Sequence, residues 1–219
     1  MSALSVGFVT GLTAEAAIAR RMGMPVEAGG GTPEGAERAA ERLVAVGVRS
    51  LISFGLAGGL DPALRPGDVV IPIAVTDGSD TYPTDKRLSD TLGGWFGGVL
   101  YASPKIAVTV LEKARLSAIT LGGSIDMESG AVARVAQRHG IPFAVLRAVC
   151  DPADRNLPPA ALVALSAKGR IALARVAISI LLRPQQIPGL IALARDASRA
   201  RRALVGRVNQ IGGSLRGVL

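Results

Sequence analysis

The chain has 219 residues, of which 49% are apolar and 3% aromatic, and it carries a formal net charge of +8. Its mean hydropathy is +0.38; such a chain is too apolar for general disorder, is long enough to bury one main core, and must fill that core with Ala, Val, Leu and Ile rather than rings. A single cysteine excludes an internal disulfide, a single histidine without nearby ligand spacing leaves no metal site to expect, and no Gly-x-x-x-x-Gly-Lys-Ser/Thr phosphate loop is present.

In chain order, Leu4 to Thr10 predicts a buried strand, and Gly11-Leu12-Thr13 turns into a helix with Glu15 in its first turn. Thr32 and Pro33, after the Gly29-Gly30-Gly31 turn, predict an N-cap and first helical residue, with the helix running through Ala39, Leu43 and Val46 to Gly47. Val48 to Phe54 predicts a strand ending in a glycine-rich turn over Ser53 to Pro62, and Val69 to Val75 another strand. Thr76 to Gly98 predicts a surface loop approaching the site. Pro104 to Lys113 predicts a helix and Ser117 to Ile125 a strand. Ser129 to His139 predicts a helix stopped by Gly140, and Ile141 to Val149 a buried strand. A long helix over Ala160 to Leu182, a break at Arg183-Pro184, a basic helix over Ile187 to Val208 and a loosely held final ten residues complete the chain. This alternation implies an α/β fold with a largely parallel, mixed sheet flanked by helices, organised as a catalytic domain over residues 1–183 and a basic helical extension over 184–219.

From Arg183 onward there are seven arginines and one aspartate, so the excess positive charge belongs to the tail. Its helix lacks the interleaved aromatics of a nucleic-acid binder, and its Leu190, Leu193, Ala194, Ala197 and Leu204 lie near one face. It suits an anionic membrane surface or packing against protein. The start has no basic n-region or long apolar stretch and the longest apolar run falls short of the ~20 residues of a membrane span, so the expected location is the cytoplasm, with peripheral attachment to the inner membrane face.

Two strand-like runs end in carboxylates, Ser124-Ile125-Asp126-Met127-Glu128-Ser129 and Leu146-Arg147-Ala148-Val149-Cys150-Asp151, at the edge where open α/β sheets hold ligands. Cleaving a purine from a ribose passes through an oxocarbenium-like transition state and needs a proton donor to the base, a grip on the sugar hydroxyls and a nucleophile. A carboxyl after a buried strand keeps its proton more readily, which makes Asp151 the candidate acid. An ionised carboxylate accepts both ribose hydroxyl protons, a task suited to Glu128; Glu15 could take a proton from water. Gly55, Gly58 and Gly59 allow close backbone approach to a ligand. Each has an ordinary alternative: Asp151 as a cap or turn residue, Glu128 and Glu15 as acids favoured at helix N-termini, the glycines as a tight turn, Cys150 as a core residue and His139 as a C-terminal cap.

Taken together, Gly11 to Glu15, Gly55 to Asp68, Asp126 to Glu128 and Arg147 to Asp151 resemble the nucleoside phosphorylase and methylthioadenosine/S-adenosylhomocysteine nucleosidase superfamily. The compact start, Gly29-Gly30-Gly31, Ile52 to Leu60 and Asp126-Met127-Glu128-Ser129 are most similar to its hopanoid-associated phosphorylase group. The resemblance implies Asp151 as purine acid, Glu15 beside the nucleophile, and Met127, Glu128, Asp126, Ala57 and Gly58 as substrate contacts, without metal or cofactor. It also implies a small-molecule nucleoside substrate, lipid-linked in the case of adenosylhopane, a homo-oligomer, and no nucleic-acid partner. Purine phosphorylases of bacteria place Arg and Ser where this chain has Ser53 and Leu56, and neither replacement brings a charge for phosphate, so hydrolysis is expected over phosphorolysis. The alternatives are a soluble methylthioadenosine/S-adenosylhomocysteine nucleosidase and a non-catalytic nucleoside-binding or membrane-surface protein.

Overall fold

A computed structural model describes residues 5–162 and 182–217. Strand β1 (Val6–Thr10) leads to α1 (Thr13–Ala19), β2 (Val26–Ala28) and α2 (Pro33–Ala45), which Thr32 caps by accepting the Gly35 N–H at 3.1 Å. Next come β3 (Ser50–Gly59), β4 (Val69–Val70), β5 (Ala74–Thr76), β6 (Thr81–Pro83), α3 (Lys86–Leu92) and β7 (Val99–Ala102). The remainder comprises α4 (Val110–Thr120), β8 (Gly122–Asp126), α5 (Ser129–His139), β9 (Phe143–Asp151), a helical turn at Pro159–Leu162 and a C-terminal helix, Ile187–Gly217.

The strands form one mixed, largely parallel sheet in the order β2-β1-β3-β8-β7-β5-β6, with β9 alongside β3 and β4 alongside β9. The expected α/β class is therefore the observed one. Alternation along the central strands divides the core in two. Phe8, Ile52, Phe54, Leu146 and Ala148 face one side, against α1 and the C-terminal helix. Val9, Leu51, Phe143 and Val145 face the other, against α2 and α5.

Several elements differ from the sequence expectation. The glycine run after Phe54 is no turn: β3 continues through it to Gly59, paired on one side with β9 and at its end with β8. Val69 to Val75 is split in two around Pro72, which has no N–H for the ladder. The segment from Thr76 to Gly98 is more than a loop: it contains β6 and α3 and anchors on α5 through the Asp77–Arg134 ion pair at 2.9 Å. The helix expected over Pro104 to Lys113 begins at Val110, because Thr109 caps it by accepting the Glu112 N–H on Oγ1 at 3.1 Å, while Glu112 Oε2 accepts the N–H of the preceding Val108 at 2.8 Å. It runs on through Ser117, so β8 starts only at Gly122. His139, expected as a cap, instead meets Glu41 at 2.8 Å. Most of the helix expected over Ala160 to Leu182 lies outside the described residues. The C-terminal helix extends to Gly217, past the expected end.

That helix is built into the core: Ala200, Leu204, Val208 and Ile211 are buried in the same cluster as Phe8 and Phe54. Leu204→Ala should therefore lower the unfolding free energy by about 2–5 kcal/mol, as for other buried leucines, measured by urea denaturation. A change near zero would mean that the helix is only loosely attached.

Candidate active site

The carboxyl edge of the sheet is assembled around Gly58. It lies opposite Ile125 of β8 on one side and Asp151 of β9 on the other, after a register shift at Ala57/Gly58. The carboxylates that end β8 and β9 are thus brought to either side of β3. A Cβ at position 58 would stand 2.9 Å from Ile125 Cγ2, which accounts for glycine there. Above this edge is a cavity of about 240 Å³. Asp151, Glu15, Met127, Glu128, Asp126, Ala57 and Gly58, singled out in the sequence, all line it.

Its polar end is organised by Arg147, a charged residue in the middle of buried β9 with 1% of its surface exposed. Nη2 lies 2.7 Å from Asp126 Oδ2 and 3.1 Å from Glu128 Oε2, and it donates to Ser53 Oγ at 2.7 Å. Nη1 donates to the Leu56 carbonyl at 3.2 Å. Asp126 also accepts the Ser129 N–H at 3.1 Å and the Ser129 hydroxyl, which caps α5. Both its oxygens are engaged, so Asp126 fixes Arg147 and the α5 terminus while lining the cavity.

Glu15 accepts the Leu12 N–H on Oε2 at 2.7 Å and the Leu56 N–H on Oε1 at 2.9 Å, tying α1 to β3. At Gly55 a Cβ would lie 2.7 Å from both Arg147 Nη1 and Glu15 Oε1, so the missing side chain is what lets these two groups approach. Gly11 acts similarly between the acids: a Cβ there would lie 2.7 Å from Glu128 Oε1 and 3.4 Å from Glu15 Oε2.

These environments favour protonated acids. Burial raises the Glu15 carboxyl, with Arg147 and the backbone N–H groups working against it. Burial likewise pushes Glu128 up to about 7; Arg147 opposes this, while Asp126 and Glu15 add to it. Burial would lower the Arg147 guanidinium, but the surrounding carboxylates reverse that and raise it. Asp151 is also raised by burial, against the opposing charge of Lys113 at 2.6 Å. Cys150 lines the cavity, but burial pushes its thiol up to about 12, so it is no nucleophile near neutral pH.

The cavity also has apolar lining: Ile106 and Ala107 before α4, Leu157 and Ala161 after β9, and Leu193 from the C-terminal helix. Sequence reasoning did not assign this wall, nor the roles of Arg147 and Lys113. An arginine inside Phe143–Asp151 was a visible signal, since a buried strand carries such a charge only with partners. Lys113 sits in an unremarkable helical stretch and gave none.

A raised Glu128 ties stability to pH. The folded chain holds that proton more tightly than the unfolded one, whose ordinary value is 4.5. The stabilisation, up to about 3 kcal/mol, is complete below about 4.5 and is lost as pH rises through about 7. Glu128→Gln should flatten the fall in Tm between pH 5 and 8 seen by calorimetry; an unchanged slope would contradict this.

A family model described as the phosphorylase superfamily matches residues 26–93 and 95–182. Among curated proteins, the 5′-methylthioadenosine/S-adenosylhomocysteine nucleosidase of Glaesserella parasuis serovar 5 (strain SH0165) is 27% identical over 140 residues, covering 48% of this chain and 57% of the relative. That of Buchnera aphidicola subsp. Acyrthosiphon pisum (strain Tuc7) is 23% identical over 137 residues, covering 49% and 57%. The chain thus spans little more than half the length of these curated relatives. Among solved structures, Helicobacter pylori 5′-methylthioadenosine/S-adenosylhomocysteine nucleosidase aligns with a TM-score of 0.68 at 15% identity, covering 96% of this chain and 100% of that one. Futalosine hydrolase of Helicobacter pylori strain 26695 aligns at 0.67 and 16%, covering 95% and 98%. The structural likeness concerns the fold, and the family match spans most of the sheet and the cavity-lining strands: the chain belongs to the phosphorylase superfamily.

Proposed function

We propose that this chain is an enzyme that hydrolyses the N-glycosidic bond of a 5′-substituted adenosine and releases adenine. The observation that carries the reading is the convergence of Asp151, Glu128 and Glu15, from three separate elements, on one cavity, where burial draws the Asp151 carboxyl upward toward the form that can donate. Asp151 gives its proton to N7 as the C1′–N9 electron pair moves onto the purine. Glu128, with Met127 beside it, holds the ribose hydroxyls. Water adds to C1′ and surrenders its proton to the Glu15 carboxylate.

Water is favoured over phosphate by charge. Arg147, the buried cation at the polar end, is already committed to Asp126 and Glu128. A phosphate dianion there would find the Nη atoms of that guanidinium already taken by carboxylate, hydroxyl and carbonyl partners.

The 5′ group is proposed to be the hydrophobic skeleton of adenosylhopane, supported by the apolar wall of Ile106, Ala107, Leu157, Ala161 and Leu193. The C-terminal helix that supplies Leu193 also exposes Ile187 and Ile191, followed by Arg195, Arg199 and Arg202 on the same stripe. This supports peripheral attachment to an anionic membrane, with isoleucines at the acyl boundary and arginines at headgroups. No helix among the described residues is long and apolar enough to cross a membrane. Exposed Leu111, Ile119 and Leu121 on and after α4 offer an apolar face for a second copy, in keeping with a homo-oligomer. A second reading, a methylthioadenosine/S-adenosylhomocysteine-type nucleosidase, is favoured by the compactness of the cavity, about 240 Å³.

Purified protein incubated with methylthioadenosine, or with an adenosine bearing a long hydrophobic 5′ group, should release adenine from the latter at the higher kcat/KM and yield the free 5-substituted ribose whether or not phosphate is present. Preference for methylthioadenosine would select the second reading, a ribose 1-phosphate product would overturn hydrolysis, and binding without release would mark a non-catalytic protein. Asp151→Asn should lower kcat by at least about 10²-fold with unchanged circular dichroism; a wild-type rate would remove Asp151 from the acid role. Arg195→Gln with Arg202→Gln should weaken sedimentation with phosphatidylglycerol vesicles while leaving release from methylthioadenosine intact, and undiminished sedimentation would count against the membrane role.

A further inference from the structure

Lys113 is the one buried residue of α4, and none of its surface is exposed. Its ammonium has three donors and three acceptors: Asp151 Oδ2 at 2.6 Å, the Pro152 carbonyl at 2.8 Å and the Arg155 carbonyl at 2.8 Å. A lysine with no route to water is costly in a fold unless every donor is met. Here each is met, by the carboxylate that ends β9 and by the two carbonyls of the segment that follows it. The lysine therefore fixes both the direction of the Asp151 side chain and the path of the chain beside the cavity. With Oδ2 held by Lys113, Oδ1 accepts no hydrogen bond from the described residues, and Asp151 lines the cavity.

We propose that Lys113 is a positioning residue for the reaction, holding Oδ2 so that Oδ1 meets the purine and, through its charge, setting the pH range over which Asp151 carries its proton. The proposal rests on the acid role given above to Asp151. Of the charged groups around that carboxylate, Lys113 comes from α4, Arg155 from the segment after β9 and Asp196 from the C-terminal helix; Cys150 precedes it on β9. Asp196 is itself paired, at 2.5 Å with Arg155 and 2.9 Å with Arg199, so its charge is largely answered locally. Glu15 and Lys105 line the same cavity from α1 and from the loop before α4. Lys113 is the cation in direct contact. Burial draws the Asp151 carboxyl upward and Lys113 draws it back, so the positive charge prevents the acid from holding its proton too tightly to release it.

Lys113→Gln keeps N–H donors for the Pro152 and Arg155 carbonyls and removes the charge. With adenine release from methylthioadenosine or the long-chain adenosine as readout, this variant should lose about tenfold to a hundredfold in kcat with KM within about threefold. The alkaline limb of its kcat profile should move up by at least about one pH unit, because the neutral acid persists to higher pH. Lys113→Arg should restore the limb to its original position. In the Asp151→Asn background, Lys113→Gln should have no further effect on the residual rate. A loss of kcat with the limb unmoved, or an equal loss in the Asp151→Asn background, would overturn the proposal and leave Lys113 a structural residue. If Asp151→Asn alone keeps the wild-type rate, the acid assignment fails first, whatever Lys113 does. If Lys113→Gln does not fold, the alkaline limb of Lys113→Arg against wild type, together with the response of that arginine variant to Asp151→Asn, decides: an arginine limb displaced by a unit or more, or rates insensitive to Asp151→Asn, overturns the proposal.

Discussion

The site depends on one buried cation. Arg147 stands in the middle of β9, enclosed on all sides, and is tolerated there because Asp126, Glu128, Ser53 and the Leu56 carbonyl meet it. Removing either acid would leave charge uncompensated in a low-dielectric interior, at a cost of about 3–5 kcal/mol. The arrangement in turn dictates the local sequence. Gly55 has no side chain so that Arg147 and Glu15 can come together, Ser129 opens α5 where Asp126 can cap it, and Glu128 leaves the capping task to Asp126 and turns toward the cavity.

This electrostatic knot divides labour among chemically similar groups. Asp126 has both oxygens committed to Arg147 and Ser129, whereas Glu128 is held, among the described residues, by Arg147 alone and is pushed up by burial and its acidic neighbours. A second and separate pair, Asp151 with Lys113, stands at the far end of the same edge. Two carboxylates two residues apart thus acquire different work from their surroundings rather than from their chemistry. Between the two ion pairs lies the cavity, rigid because its floor is the paired end of β3, β8 and β9. Its roof is less regular, made of the loop before α4, the segment after β9 and the first turns of the C-terminal helix.

Much of this was legible along the chain. Strong local signals were read correctly where chemistry is local: Thr32-Pro33 opens α2, and Ser129 to His139 is α5 with Gly140 as its stop in the left-handed region at φ +60°. The carboxylates at strand ends were visible as well. Where the expectation failed, a competing signal was present or the answer lay elsewhere in space. Glycines 55, 58 and 59 suggested a turn, yet they belong to a strand; at Gly55 and Gly58 it is flanked so closely by Arg147, Glu15 and Ile125 that no side chain fits. The cap at Thr109 starts α4 at Val110 and lets it run to Thr120, so that β8 begins only at Gly122. Strand β7 was not foreseen, because four residues after a run of glycines carry little periodicity of their own.

What the sequence determined by itself was the class of the fold, the order of most of its elements and the acids brought to the sheet edge, because strand alternation, helix caps and strand-terminal carboxylates are properties of neighbouring residues. The tertiary structure alone decided which of those carboxyls burial raises, that Arg147 and Lys113 hold them, and that the C-terminal helix both completes the core and walls the cavity. These outcomes rest on contacts such as Lys113 with Asp151 and Leu204 with the Phe8 cluster. Burial and charge pairing are set by residues far apart along the chain, and only the folded packing brings them within range.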